Sequence, residues 1–304
     1  GASVGWAAPL AMPAADRERG PKVGPKGGPE AGRAHQVATA GYAALQAGDR
    51  RQAVALLQEA ARIAPEAEGA AQWRADSAQL TKRWSIAGYL LSRSGGTTDP
   101  LAASPVLGGG QAGVAAGYAL NPLGETRLSV VGRVTAASRA NGSLDNETAE
   151  AALGLRLQPF RGVPLAIDAE RRFALGLVAR NGWAVRVSGG NSVDARIGGR
   201  PFRIDSYAEA GAIGFHKTAL YAGGQSRVGT PLFSLGSVTI DGGAGLWGAA
   251  QRDYGLTSSR LDVGPSAQFR LGEWPFRAQV DYRLQAAGNA LPKSGPVVTV
   301  SGEF

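Results

Sequence analysis

Residues 295–304 read GPVVTVSGEF, and their side chains divide into two sets by parity. Val298, Val300, Gly302 and Phe304 fall on one side; Val297, Thr299, Ser301 and Glu303 fall on the other. Alternation with period two marks a β-strand with one apolar and one wetter face. A strand crossing a bilayer in a barrel needs about 9–11 residues, apolar toward lipid and polar toward the lumen, with aromatics at the interfaces. The stretch fits that description, and Phe304 stands where an interfacial aromatic and membrane-insertion signal is expected.

The same two-faced pattern recurs upstream. Twelve candidate strands start near Arg83, Gln111, Thr126, Thr148, Leu165, Trp183, Tyr207, Ala219, Ser237, Ser259, Pro275 and Gly295. Leu153, Leu155 and Leu157 oppose Gly154, Arg156 and Gln158; Trp183, Val185 and Val187 oppose Arg186 and Ser188. Phe276, Ala278, Val280, Tyr282 and Leu284 oppose Arg277, Gln279, Asp281, Arg283 and Gln285. Connections alternate in length as well. Residues 93–110, 138–147, 174–182 and 287–294 are long and rich in Gly, Ser, Asn or Pro, whereas 121–125, 160–164 and 272–274 are short. Outer-membrane barrels have this arrangement, with short periplasmic turns and longer outside loops. Residues 191–218 break the rule, reading as a long inner loop before a very short outer one. A soluble sandwich or lipocalin-like barrel would put the charged face in solvent. The strand lengths and the aromatics near strand ends on the lipid parity favour the membrane barrel.

The first part of the chain has another composition. Residues 1–34 carry Pro9, Pro13, Pro21, Pro25 and Pro29 among Gly and scattered charge, which reads as a linker or tail. From His35 to 82 the period becomes helical, with two short antiparallel helices joined at Gly48-Asp49, an end at Pro65, and a further helix carrying Trp73 and Leu80. Residues 83–304 are then the barrel. The fold class expected is a transmembrane barrel of about twelve antiparallel strands after a short helical segment.

Composition removes several functions. The 304 residues include no cysteine, so disulfides, thiolate metal sites and a cysteine nucleophile are excluded. No run of 18 apolar residues offers a membrane-spanning helix, a test that a barrel escapes. No signal peptide is visible, and the chain reads as processed or as a fragment. The formal charge of +8 comes without a run of five basic residues, so nucleic acid is not the expected partner. Of the 32 cations five are lysines, leaving 27 arginines, whose planar forks suit paired, partly desolvated sites.

With two histidines, His35 and His216, and no persuasive serine partner, no catalytic residue, metal site or cofactor is expected. The promising constellation is the predicted lumen. Arg133, Arg156, Arg172, Arg186, Arg227, Arg270, Arg277 and Arg283, with Asp168 and Glu170, are candidates to line it and to bind a glycan. Such a set either packs the bore as a salt-bridge web or presents guanidinium forks to the carboxylate or phosphate groups of an anionic glycan.

Two stretches carry a family resemblance. GYAALQAGDRRQAVALLQEAARIAP, residues 41–65, resembles a tetratricopeptide unit, with Gly41, Gly48, Asp49, Ala53, Ala60 and Pro65 at matching places. AALGLRLQPFRGVPLAIDAERRF, residues 151–173, followed by NGWAVRVSGG, residues 181–190, is similar to the C-terminal barrel of NfrA-like outer-membrane phage-adsorption proteins. Gly154, Pro159, Glu170, Arg171, Arg172, Phe173, Trp183 and Arg186 occupy the matching positions. The resemblance implies an outer-membrane component of surface exopolysaccharide export in a Gram-negative bacterium, usable as a phage receptor, with the helical segment in the periplasm. It implies outer-membrane lipid, an exopolysaccharide, an inner-membrane glycosyltransferase and a phage tail protein as partners. An autotransporter-type translocator and a small-solute porin remain as alternatives.

Overall fold

The structure, a computed structural model, describes residues 28–93, 106–108, 110–124, 126–139, 143–160, 163–215, 218–272 and 274–304. Three helices come first: α1 (Pro29–Gln46), α2 (Arg50–Ile63) and α3 (Ala70–Thr81). The first begins inside the stretch read as linker. Pro29 at the first helical position has its backbone angle already set, and Glu30 complements the positive end of the helix. The remainder of that stretch, up to residue 27, lies outside the described residues. Between α1 and α2 the chain turns at Gly48, whose φ of +85° suits glycine, and Asp49 caps α2 by accepting from the Gln52 N–H at 3.0 Å. Ala34, Ala38, Leu57, Ala60 and Trp73 form the buried core of the three helices, and His35 stands edge-on to Trp73 at 5.9 Å. Tyr42 ties α1 to α3 by donating to Asp76 at 2.6 Å.

Twelve strands follow: β1 (Trp84–Arg93), β2 (Gly110–Ala119), β3 (Arg127–Ser138), β4 (Leu144–Gln158), β5 (Leu165–Ala174), β6 (Gly182–Ile197), β7 (Arg200–Ile213), β8 (Ala219–Leu235), β9 (Val238–Asp253), β10 (Leu256–Leu271), β11 (Phe276–Gly288) and β12 (Gly295–Glu303). Each pairs antiparallel with its sequence neighbours, and β12 returns to β1, with Leu90 opposite Val300, to close the barrel. Closure leaves no sheet edge without a neighbour around the ring. The expected fold class, a closed twelve-stranded antiparallel barrel after a few helices, is what the chain forms.

Side-chain parity puts the apolar set outside. Val298 is 44% exposed while Val297 is fully buried; Leu153, Leu155, Trp183, Val185, Val280 and Tyr282 all face outward. At the end of the barrel that carries the helices, Trp84 stacks on Tyr118 at 4.8 Å, and Phe304 stands edge-on to Phe276 at 5.1 Å. Phe304 is thus part of an aromatic rim, held through Ile86, whose carbonyl accepts from the Phe304 N–H at 2.7 Å. Tyr89, Leu91, Tyr221 and Trp247 depart from that rule and are buried; Trp247 is the largest of them.

The reading of a long inner loop before the strand near Tyr207, within residues 191–218, is corrected. β6 runs to Ile197 and β7 begins at Arg200, joined by the two-residue turn Gly198–Gly199 with φ of +58° and +80°. A tight hairpin of this kind requires positive φ, which glycine supplies without strain. The polarity that suggested a loop has another cause. β5 pairs with β6 only as far as Gly189, while β6 and β7 stay paired to Ile197 and Arg200. Past Gly189 the hairpin extends beyond its neighbour, so Asn191, Ser192, Asp194 and Arg196 have no apolar environment to satisfy. Strands β4 and β10 likewise start earlier than the pattern predicts, at Leu144 and Leu256.

Candidate functional site: the barrel interior and its two mouths

Inward-facing residues of successive strands meet in layers. Asp168 on β5 is fully buried between two guanidinium groups: Arg156 on β4 donates at 2.7 Å and Arg186 on β6 at 2.6 Å. The register explains the triad, because Asp168 lies opposite Arg156 on one side and Arg186 on the other. Glu170, two residues along, pairs with Arg133 and lies 3.7 Å from Arg186, which also approaches Glu209 of β7 at 3.8 Å. Arg172 pairs with Glu150 on β4. Six charged residues on five strands therefore form one web, with the Arg172–Glu150 pair beside it. Isolated, each buried ion would cost several kcal/mol to desolvate; opposite charges and multiple hydrogen bonds offset that cost. A cleft of about 60 Å³ remains beside it, against Ser85, Ala87 and Tyr89 of β1 and Ala115 and Gly117 of β2.

The barrel end away from the helices is closed. Val106 and Leu107 from the β1–β2 connection, and Ala290 from the β11–β12 connection, pack on Trp247 and Ala249 inside the wall. Arg260 donates to the Leu107 carbonyl at 3.2 Å, and Arg93 donates to the Lys293 carbonyl at 2.9 Å and to Asp262 at 2.8 Å. Arg260 also reaches Asp262 at 3.1 Å, while Arg283 pairs with Asp281 at 3.0 Å and covers the Trp247 ring at 4.4 Å. Arg93 and Arg260 thus hold two loops by their backbone oxygens, and Asp262 holds both arginines in place. Farther out, Arg180 of the β5–β6 connection pairs with Asp253 at the end of β9.

The opposite mouth differs. A cavity of about 640 Å³ lies between α2, α3 and the barrel rim; eight of its lining residues are Arg or Lys and two, Asp205 and Glu303, are carboxylates. Arg270 pairs with Asp241 at 2.7 Å but stays 44% exposed, and Arg203 pairs with Asp205 at 3.0 Å. Among the described residues Arg50, Lys82, Arg127 and Arg277 form no ion pair. Arg50 of α2 and Arg127 of β3 are near enough to feel each other's charge. Burial holds the Arg50 pKa below its ordinary value.

The ten lumen candidates thus divide by height. Arg133, Arg156, Asp168, Glu170, Arg172 and Arg186 make the central web and its neighbouring pair; Arg283 belongs to the closed end. Arg227 bonds Ser266 and the Asp241 carbonyl, both at 2.9 Å, below the web, and Arg270 and Arg277 stand at the helix-bearing mouth. Arg93, Arg260, Glu150 and Glu209 were absent from that set, although the parity of Asp262 and Arg156 already marks Arg260 and Glu150. Arg50 had no such signal, since only the folded chain brings a helix residue to the rim. His216 and Lys217 lie outside the described residues.

No known protein family matches the sequence, and no curated protein matches it. Solved structures resemble the chain in outline. An outer-membrane channel from Pseudomonas putida F1 is 9% identical, with a TM-score of 0.38, covering 72% of this chain and 93% of that one. The β domain of the Bordetella autotransporter BrkA is 11% identical, with a TM-score of 0.37, over 73% of this chain and 97% of that one. LpxR from Salmonella typhimurium is 13% identical, with a TM-score of 0.36, over 72% and 99%.

Proposed function

We propose that the chain spans the outer membrane of a Gram-negative bacterium as the barrel of a surface exopolysaccharide export system, with its helices in the periplasm. The observation that carries this reading is the cationic cavity between the helices and the barrel rim, a receiving site for an acidic polymer on the side where it would arrive. In this orientation the closed end faces the medium. The Trp247 plug is the resting seal, and the central web narrows the bore to a cleft beside β1 and β2. The helical segment, read as tetratricopeptide-like, contacts the synthase side, where an inner-membrane glycosyltransferase supplies the chain. Loops at the closed end offer the surface that a phage tail protein would grip. No residue makes or breaks bonds.

The alternatives make different demands. An autotransporter-type translocator threads a helix through its lumen, whereas α1, α2 and α3 pack on one another outside the bore and charged side chains fill its centre. A small-solute porin needs a wet, open lumen. Single-channel recording in a planar bilayer separates these readings. The expected wild-type barrel is nearly silent, Trp247→Ala gives frequent openings, and an acidic oligosaccharide blocks them only from the helix side. A large steady wild-type conductance would favour the porin; openings indifferent to the oligosaccharide from either side would sink the export reading.

A further inference from the structure

We infer that Arg50 and Arg127 form a site for one anionic group of a glycan, a carboxylate or phosphate, which bridges the helical segment to the barrel rim. The inference deepens the export reading and rests on it for the choice of a polymeric ligand. Its geometry is independent. Folding places two guanidinium groups from different parts of the chain against one cavity, close enough to repel, with no carboxylate paired to either among the described residues. Repulsion between like charges is unfavourable until an anion enters between them. Elsewhere in the barrel guanidinium groups brought together share a carboxylate, as Arg156 and Arg186 share Asp168, and Arg93 and Arg260 share Asp262. Among the described residues no carboxylate pairs with Arg50 or Arg127 at the rim. Arginine pairs suit planar or tetrahedral oxyanions, because each fork donates two parallel N–H bonds.

The neighbours extend the site in one direction. Lys82 and Arg277 line the same cavity near Glu303, a second place where cations outnumber carboxylates. Several cations around one cavity of about 640 Å³ fit an oligomer carrying a charge on successive units better than a single small ion. Gln79, Gln158, Gln268 and Ser129 in the lining can exchange hydrogen bonds with sugar hydroxyls.

The test is isothermal titration of the full chain in detergent with tetragalacturonate, maltotetraose serving as the neutral probe. Wild type is expected to bind the acidic tetramer, more weakly as salt rises, and to bind maltotetraose at least tenfold less tightly. Arg50→Gln with Arg127→Gln should lose at least tenfold for the acidic tetramer. Arg50→Lys with Arg127→Lys should retain part of the affinity, which a merely structural role would not predict. Circular dichroism melts confirm that each variant is folded. Acidic-selective binding unchanged by the double glutamine variant would overturn this site while leaving the export reading. Failure of the folded wild type to bind the acidic tetramer would overturn both, as would equal binding of the neutral one.

Discussion

The two mouths of the barrel use the same residue type in opposite states. At the closed end Arg93, Arg260 and Arg283 are buried with Asp262 and Asp281, and Arg93 and Arg260 also donate to loop carbonyls. At the helix-bearing end Arg50, Arg127 and Arg277 face a cavity with two carboxylates among its lining residues. A guanidinium surrounded by its acceptors is part of the wall. One without them is available to a ligand. The contrast teaches that composition alone does not separate structural from receptive arginine; what separates them is whether the register delivers a carboxylate. Across the sheet it does so repeatedly, as with Asp168 opposite both Arg156 and Arg186. At the rim one partner sits on a helix, outside any register.

The contrast can be broken most forcefully at the closed end. Asp262→Ala leaves Arg93 and Arg260 buried without their shared carboxylate, and should cost about 3–5 kcal/mol in urea unfolding from liposomes. A loss below about 1 kcal/mol would mean that the backbone carbonyls alone hold those arginines. Next comes the division between outside and inside. Val280→Arg, on the outward face of β11, should cost about 2–4 kcal/mol, whereas Gln279→Arg, facing the lumen, should cost much less. Equal costs measured by the same assay would reject the assignment of faces. The smallest effect belongs to the rim: Arg277→Gln should change stability by about 0.5 kcal/mol or less, since the side chain is exposed and forms no ion pair among the described residues. A large loss there would place Arg277 with the structural arginines.

Strand parity made most of the barrel legible. Twelve segments with apolar and charged faces were enough to expect the closed sheet and to put Arg133, Arg156, Asp168, Glu170, Arg172 and Arg186 on its inner side. The β6–β7 hairpin was harder to read. Beyond Gly189 it stands clear of β5, and its glycines and polar residues look like loop although Val193 and Ile197 keep the outward parity. Trp247, which forms the floor of the plug, was not singled out, because the loops that cover it are distant in sequence. Pro29 concealed a helix start, being read for its frequency in linkers rather than for its fitness at a first turn.

By itself, then, the sequence determined the alternation, and with it the number of strands, their two faces and the burial of opposite charges inside; these follow from local geometry that repeats every two residues. Only the tertiary structure decided which charges meet. Whether Arg93 finds Asp262, 169 positions away, whether two loops fold inward onto Trp247, and whether Arg50 comes to lie beside Arg127 depend on how the closed sheet and the helices fit together in space. The physical reason is that pairing of charges over such distances is set by barrel closure and stagger, which no short window of residues contains.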